Sequence, residues 1–86
     1  MSAYSPDSGI TLNLSTDLPG VQLYTGNCLP QRPGKGGKPT AAFSGFCLET
    51  QFFPDAIHQP AFPSIVLKAG GTWNHYAEFA FGVSSD

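Results

Sequence analysis

The chain has 86 residues, 41% of them hydrophobic, 13% aromatic and 12% charged. That length suits one small domain, close to the size at which a single core ceases to hold itself together unaided. A charged share of about 25% is usual, so part of the apolar surface is expected to face another polypeptide segment. Four Lys plus Arg against six Asp plus Glu give a net charge of −2, which excludes the basic footprint used for nucleic acid or anionic lipid and points to neutral partners.

The first fifteen residues, MSAYSPDSGITLNLS, lack the basic region and apolar run of an export signal, and no stretch approaches the roughly 20 apolar residues of a membrane helix. The expectation is a soluble, cytoplasmic protein without a membrane partner. In that setting Cys28 and Cys47 read as reduced, packed thiols.

Eight Pro and ten Gly break every candidate long helix, and the apolar spacing has period two. Ile10, Leu12 and Leu14 alternate with Thr11, Asn13 and Ser15, a half-buried strand closed by the turn Asp17-Leu18-Pro19-Gly20. Residues 21–25 predict a second strand, with Val21, Leu23 and Thr25 on one face and Gln22 and Tyr24 on the other. Residues 30–41, PQRPGKGGKPTA, predict an exposed loop. Residues 43–51 predict a third strand, placing Ser44, Phe46, Leu48 and Thr50 opposite Phe43, Gly45, Cys47, Glu49 and Gln51. Three prolines make residues 53–63 an irregular crossing, after which residues 64–68 extend and Ala69-Gly70-Gly71 turns. Residues 72–83 predict the last strand, with Trp73, His75, Ala77, Phe79 and Phe81 as its core face. The expectation is all-β, with four or five strands and edges left unpaired.

Few motifs carry chemistry. The segment PGKGGKPT fails as a phosphate loop, because Pro39 follows Lys38 where Ser or Thr is required, Arg32 occupies the leading Gly position, and no helical pattern comes after. His58, His75, Asp55, Cys28 and Cys47 show no metal-ligand spacing, so no metal is expected. His75 reads as a hydrogen-bonded core histidine and His58 as a surface one.

If the second and third strands share a sheet, Val21, Leu23, Phe46 and Leu48 form a buried face, and Gln22, Tyr24, Glu49 and Gln51 gather on the opposite one. By pattern alone a solvated sheet face competes with a ligand-facing one, and the solvated face has the edge. Against it stand Cys47 and Phe43 on the same face and two phenylalanines just beyond, which predict a half-buried Glu49. A carboxylate so placed holds protons more tightly and suits general-base work, while amides and a phenol orient the donors and acceptors of a polyhydroxylated neutral ligand.

The strings PGVQLYTGN (19–27), GKGGK (34–38), GFCLETQ (45–51) and FPDA…QPAFPS (53–64) resemble, in order and spacing, the C-terminal end of the aldose 1-epimerase (galactose mutarotase) family. The resemblance implies that residues 1–86 are one segment of a longer β-sandwich (supersandwich) domain whose N-terminal and central parts lie outside them. It implies interconversion of the α and β anomers of free hexoses such as glucose or galactose, with no cofactor. It places the general base at Glu49 and a sugar contact at Gln22, with Tyr24 and Gln51 as further substrate-binding candidates. The family's general acid, a mid-chain histidine, has no counterpart at His58 or His75. Cys28, Phe43 and Phe52 also depart from the residues usual at their positions, which bears on the pocket wall more than on the base. The implied partners are a monosaccharide and either a separate chain carrying the remaining segments or further copies joined through strand edges. A non-catalytic carbohydrate-binding module or accessory subunit is the competing expectation.

Overall fold

A computed structural model describes residues 1–84. Ile10–Thr16 (β2) pairs on one side with Ser2–Tyr4 (β1) and on the other with Ala77–Val83 (β7), both antiparallel. The register sets Leu12 opposite Ala3 and Phe81, and Leu14 opposite Phe79. Opposed residues share a face, so Ala3, Ile10, Leu12, Leu14, Phe79, Phe81 and Val83 line one side of this sheet, while Thr11, Asn13, Ser15 and Glu78 line the other. The side chains around the turn after β2 start β7 where it starts: Thr16 Oγ1 donates to the Tyr76 carbonyl (2.8 Å) and the Tyr76 N–H donates to Asp17 Oδ1 (3.0 Å).

Gly20–Tyr24 (β3) pairs antiparallel with Cys47–Gln51 (β6) as a separate two-stranded sheet. Between them Arg32–Pro33 (β4) and Pro39–Thr40 (β5) make a small exposed hairpin. Its tip turns through Gly36 and Gly37, whose positive φ angles of 69° and 78° favour glycine. Single turns of 3-10 helix occupy Lys35–Gly37 and Ala56–His58. Among the described residues the chain is all-β, with seven strands and no longer helix; in particular no helix is long and apolar enough to cross a membrane.

Three strands differ from the sequence reading. Residues 43–46 do not belong to β6: Phe43 has φ 63°, its N–H donates to the Gly26 carbonyl (2.8 Å), and Ser44 closes a turn on Ala41. Residues 72–76 do not belong to β7, and residues 64–68 pair with no strand. β1, β4 and β5 are two or three residues long, too short to show a period.

The larger correction concerns the core. Only Leu14 (4% exposed) and Ala56 (8%) are buried among the apolar side chains, while Trp73, Phe79 and Phe81, expected inside, are exposed, Phe81 to 73%. Leu23 and Phe46, expected on a buried face, are likewise exposed. His75 is exposed, with its ring stacked on Trp73 at 4.5 Å. Cys28 and Cys47 are free but exposed rather than packed. The cause is geometric. The apolar side of the β1-β2-β7 sheet borders an open cavity of about 200 Å³ whose lining includes Ala3, Ile10, Leu12 and Phe81 and, from across the chain, Phe46.

The surface measures the same deficit. The chain exposes 6795 Å² at a mass of 9.1 kDa, where the scaling for folded monomers gives about 4900 Å². Its radius of gyration is 17.2 Å, against about 12 Å for a compact domain of this length. These strands are organised, yet the layer that would cover them is not among the described residues.

With so little buried, Leu14 on the central strand carries an outsized share of the packing. Leu14→Ala removes about 2–5 kcal/mol, a large part of what a small domain has in all. Chemical denaturation followed by circular dichroism should show the cooperative transition lost or displaced to much lower denaturant, whereas Leu23→Ala on the open sheet should leave it nearly in place.

Candidate active site

The β3–β6 register pairs Gly20 with Gln51, Gln22 with Glu49, and Tyr24 with Cys47. Directly opposed residues point to the same side, so Gln22, Tyr24, Cys47, Glu49 and Gln51 occupy one face, as the alternation requires. Val21, Leu23, Leu48 and Thr50 occupy the other. The four residues singled out from the sequence are therefore brought together, with the Gln22 and Glu49 side chains in the same cross-strand pair.

The ends of this ribbon are tied by backbone. After β3 the chain turns at Gly26, whose φ is 74°, and the Gly26 carbonyl accepts N–H groups from Leu29 (3.2 Å) and Phe43 (2.8 Å). A Cβ on Gly26 would collide with the Gly45 carbonyl oxygen, so only glycine lets the segment leaving β3 pass against the one entering β6. Tyr24 serves the same junction. Its hydroxyl accepts the Cys28 N–H at 3.2 Å, and its half-buried ring leans over the turn.

Glu49 is exposed, which corrects the half-buried setting expected from its neighbours. Phe43, one of the groups meant to shield it, sits in the left-handed turn and not on the strand. Among the described residues the Glu49 carboxylate has no hydrogen-bond partner, so its oxygens are open to an incoming donor. Gln22 is exposed, with Nε2 in a long 3.5 Å contact to the Leu23 carbonyl, and Gln51 is half-buried.

Just beyond β6 the chain makes a turn that the sequence left irregular. Asp55 adopts a left-handed conformation (φ 60°), and its carboxylate accepts from Gln59 Nε2 at 3.2 Å and pairs with His58 Nδ1. Asp tolerates this backbone region better than most residues. The hydrogen bond from His58, and then the one from Gln59, hold the Asp55 carboxyl below its ordinary value of 3.8. Between β6 and this turn the Phe53 ring lies against Gly20, where an added Cβ would sit 3.1 Å from Phe53 Cε1.

Chemically, the face offers a free proton acceptor, two amides that donate and accept, and a phenol. Neither histidine lies on β3 or β6: His58 is engaged by Asp55 and His75 by Trp73. Among the described residues no group of three or more His, Cys, Asp or Glu is arranged to hold a metal ion.

Fold and face together define an all-β chain that presents one carboxylate-bearing polar ribbon beside uncovered apolar sheet. A family model described as aldose 1-epimerase matches residues 1–80, and the chain belongs to that family. Galactose mutarotase of Rattus norvegicus is 50% identical to it over 78 residues and that of Homo sapiens 47% over 78. Aldose 1-epimerase of Haemophilus influenzae is 38% identical over 79. Each match covers 90% of this chain, and the chain spans 23% of the length of these relatives.

The turn after β6 makes a pH-dependent prediction. A depressed carboxyl value means that the Asp55 pairing contributes fully above pH 3.8 and is lost as pH falls through the lowered value. A ¹³C NMR titration of the Asp55 carboxyl should give a midpoint below 3.8, and His58→Ala should move that midpoint up. A midpoint unchanged by the substitution would remove His58 as its cause.

Proposed function

We propose that residues 1–86 act as the C-terminal segment of an aldose 1-epimerase domain, supplying the general base and one wall of the sugar site for anomer interconversion of free hexoses such as glucose and galactose. The observation that carries this reading is the cross-strand pairing of Gln22 with Glu49 in a chain of this family. In the reaction Glu49 takes the proton of the anomeric hydroxyl as the bond from the anomeric carbon to the ring oxygen breaks, and an acid protonates that oxygen. The open-chain aldehyde turns about its carbon–carbon bond, the ring oxygen attacks the other side of the carbonyl, and the two protons return. Gln22, Tyr24 and Gln51 hold the hydroxyls. The reaction is redox-neutral and transfers only protons, between the sugar and the base and acid, so the proposed mechanism calls on no cofactor.

The acid is assigned to another segment of the domain, since His58 and His75 are both occupied away from β3 and β6. The uncovered apolar sheet supports a partner that contains such a segment, as a separate chain or in continuous sequence. Self-association through the open edges of β1, β3, β6 and β7 is the alternative use of the same surface. Two free thiols fit a reducing compartment, and we assign the protein to the cytoplasm on that basis.

The test is a chimera of the Rattus norvegicus galactose mutarotase in which its 78-residue matching segment is replaced by the corresponding residues of this chain. Polarimetry of freshly dissolved α-D-glucose should show mutarotation well above buffer, and Glu49→Gln should reduce it by about 10²–10⁴-fold, the usual worth of a general base. Unchanged activity in Glu49→Gln would overturn the assignment of the base. Saturable hexose binding by a chimera without turnover would favour a non-catalytic carbohydrate-binding module.

A further inference from the structure

We infer that Phe53 is a substrate-contacting residue, an apolar wall that receives the C–H side of a hexose while the Gln22–Glu49 pair receives its hydroxyls; this rests on the reading of the β3–β6 face as a hexose site. The placement follows from Gly20. Gly20 opposes Gln51 and alternates with Gln22 and Tyr24, so a Cβ at this position would project from the polar face. That Cβ would meet Phe53 Cε1 at 3.1 Å and Cδ1 at 3.2 Å. The ring therefore lies on the polar face itself, over bare backbone, two residues along the ribbon from the Gln22–Glu49 pair. Two residues along a strand span about 7 Å, a distance that one pyranose ring with its hydroxyls can bridge.

The ring is braced and still accessible. Phe62 packs against Phe53 with centroids 5.1 Å apart and planes tilted by 60°, and Phe53 remains 36% exposed. The turn that follows starts at Phe53, whose carbonyl accepts the Ala56 N–H at 3.2 Å. A hexose carries hydroxyls around its rim and C–H bonds on its faces. The electron-rich face of an aromatic ring attracts such C–H groups, and amides and carboxylates satisfy the rim. Gly20 is then a positioning residue, since any side chain there must displace the ring.

Saturation-transfer difference NMR with D-galactose and D-glucose on the chimera that carries these residues in the Rattus norvegicus galactose mutarotase tests the assignment. Irradiation of the aromatic resonances should transfer to sugar ring C–H protons. Phe53→Leu, which keeps apolar volume but removes the ring, should weaken that transfer and raise Kd by about two- to tenfold, the range that corresponds to one aromatic contact. Gly20→Ala, which keeps the ring but moves it, should weaken binding likewise, and Phe53→Tyr should retain it. Hexose binding that is unaltered in both Phe53→Leu and Gly20→Ala, with wild-type dispersion in the amide spectrum, would overturn the wall and leave the hexose site standing. Absence of any hexose binding by the unmodified chimera, with the dispersed amide spectrum of a folded protein, would overturn both.

Discussion

The antiparallel pairing of β3 with β6 is the constraint on which the polar face depends. Because strand side chains alternate, a slip of one residue between β3 and β6 would send Glu49 to the side of Val21 and Leu23 and set Leu48 and Thr50 beside Gln22. The register is held at one end by backbone, where Gly26 accepts from Phe43 and admits Gly45 at close range, and at the other by Phe53 lying over Gly20. Both clasps need glycine, for different reasons. Gly26 supplies a left-handed turn and room for a carbonyl; Gly20 supplies a flat patch on a strand.

The rest of the molecule depends on something outside these strands. Leu12, Phe79, Phe81 and their neighbours make an apolar sheet side of the kind that elsewhere packs on a second layer, yet here it faces Phe46 and a cavity. A second cavity of about 210 Å³ lies between Phe52, Ile65, Val66, Leu67 and Trp73. The excess of exposed area over that of a compact chain of this mass is comparable to what obligate interfaces bury. Hydrogen bonding orders the backbone locally while the hydrophobic contribution waits for its counterpart, so stability and completeness of the site are tied to the same missing contact.

How far the sequence could be read follows from this. Alternation at Ile10–Thr16 and Gly20–Tyr24, with turn residues between, was legible because both strands are regular and each is paired along its whole length with a strand of matching length, β7 and β6 respectively. The Gln22, Tyr24, Glu49 and Gln51 face was legible for the same reason. Burial was not, because alternation tells which side of a strand is apolar but not whether anything covers it; Trp73 and Phe81 are exposed on those terms. Phe43 was misplaced because a left-handed non-glycine residue interrupts the period without leaving a compositional mark. Phe53 was missed because it lies beyond the end of β6 in an irregular segment and its place on the face depends on the absence of a side chain at Gly20.

The chemistry imposes its own asymmetry on the face. Anomer interconversion moves two protons, one off the anomeric hydroxyl and one onto the ring oxygen, and a single carboxylate on a sheet can serve only the first efficiently. Glu49 is exposed, so water competes with any sugar hydroxyl for its lone pairs. Closing an apolar layer over the neighbouring sheet would remove that water and bring the second proton carrier to the opposite side of the sugar. On the proposed reading, the same docking event that supplies the hydrophobic contact absent from β1-β2-β7 would also complete the acid–base pair.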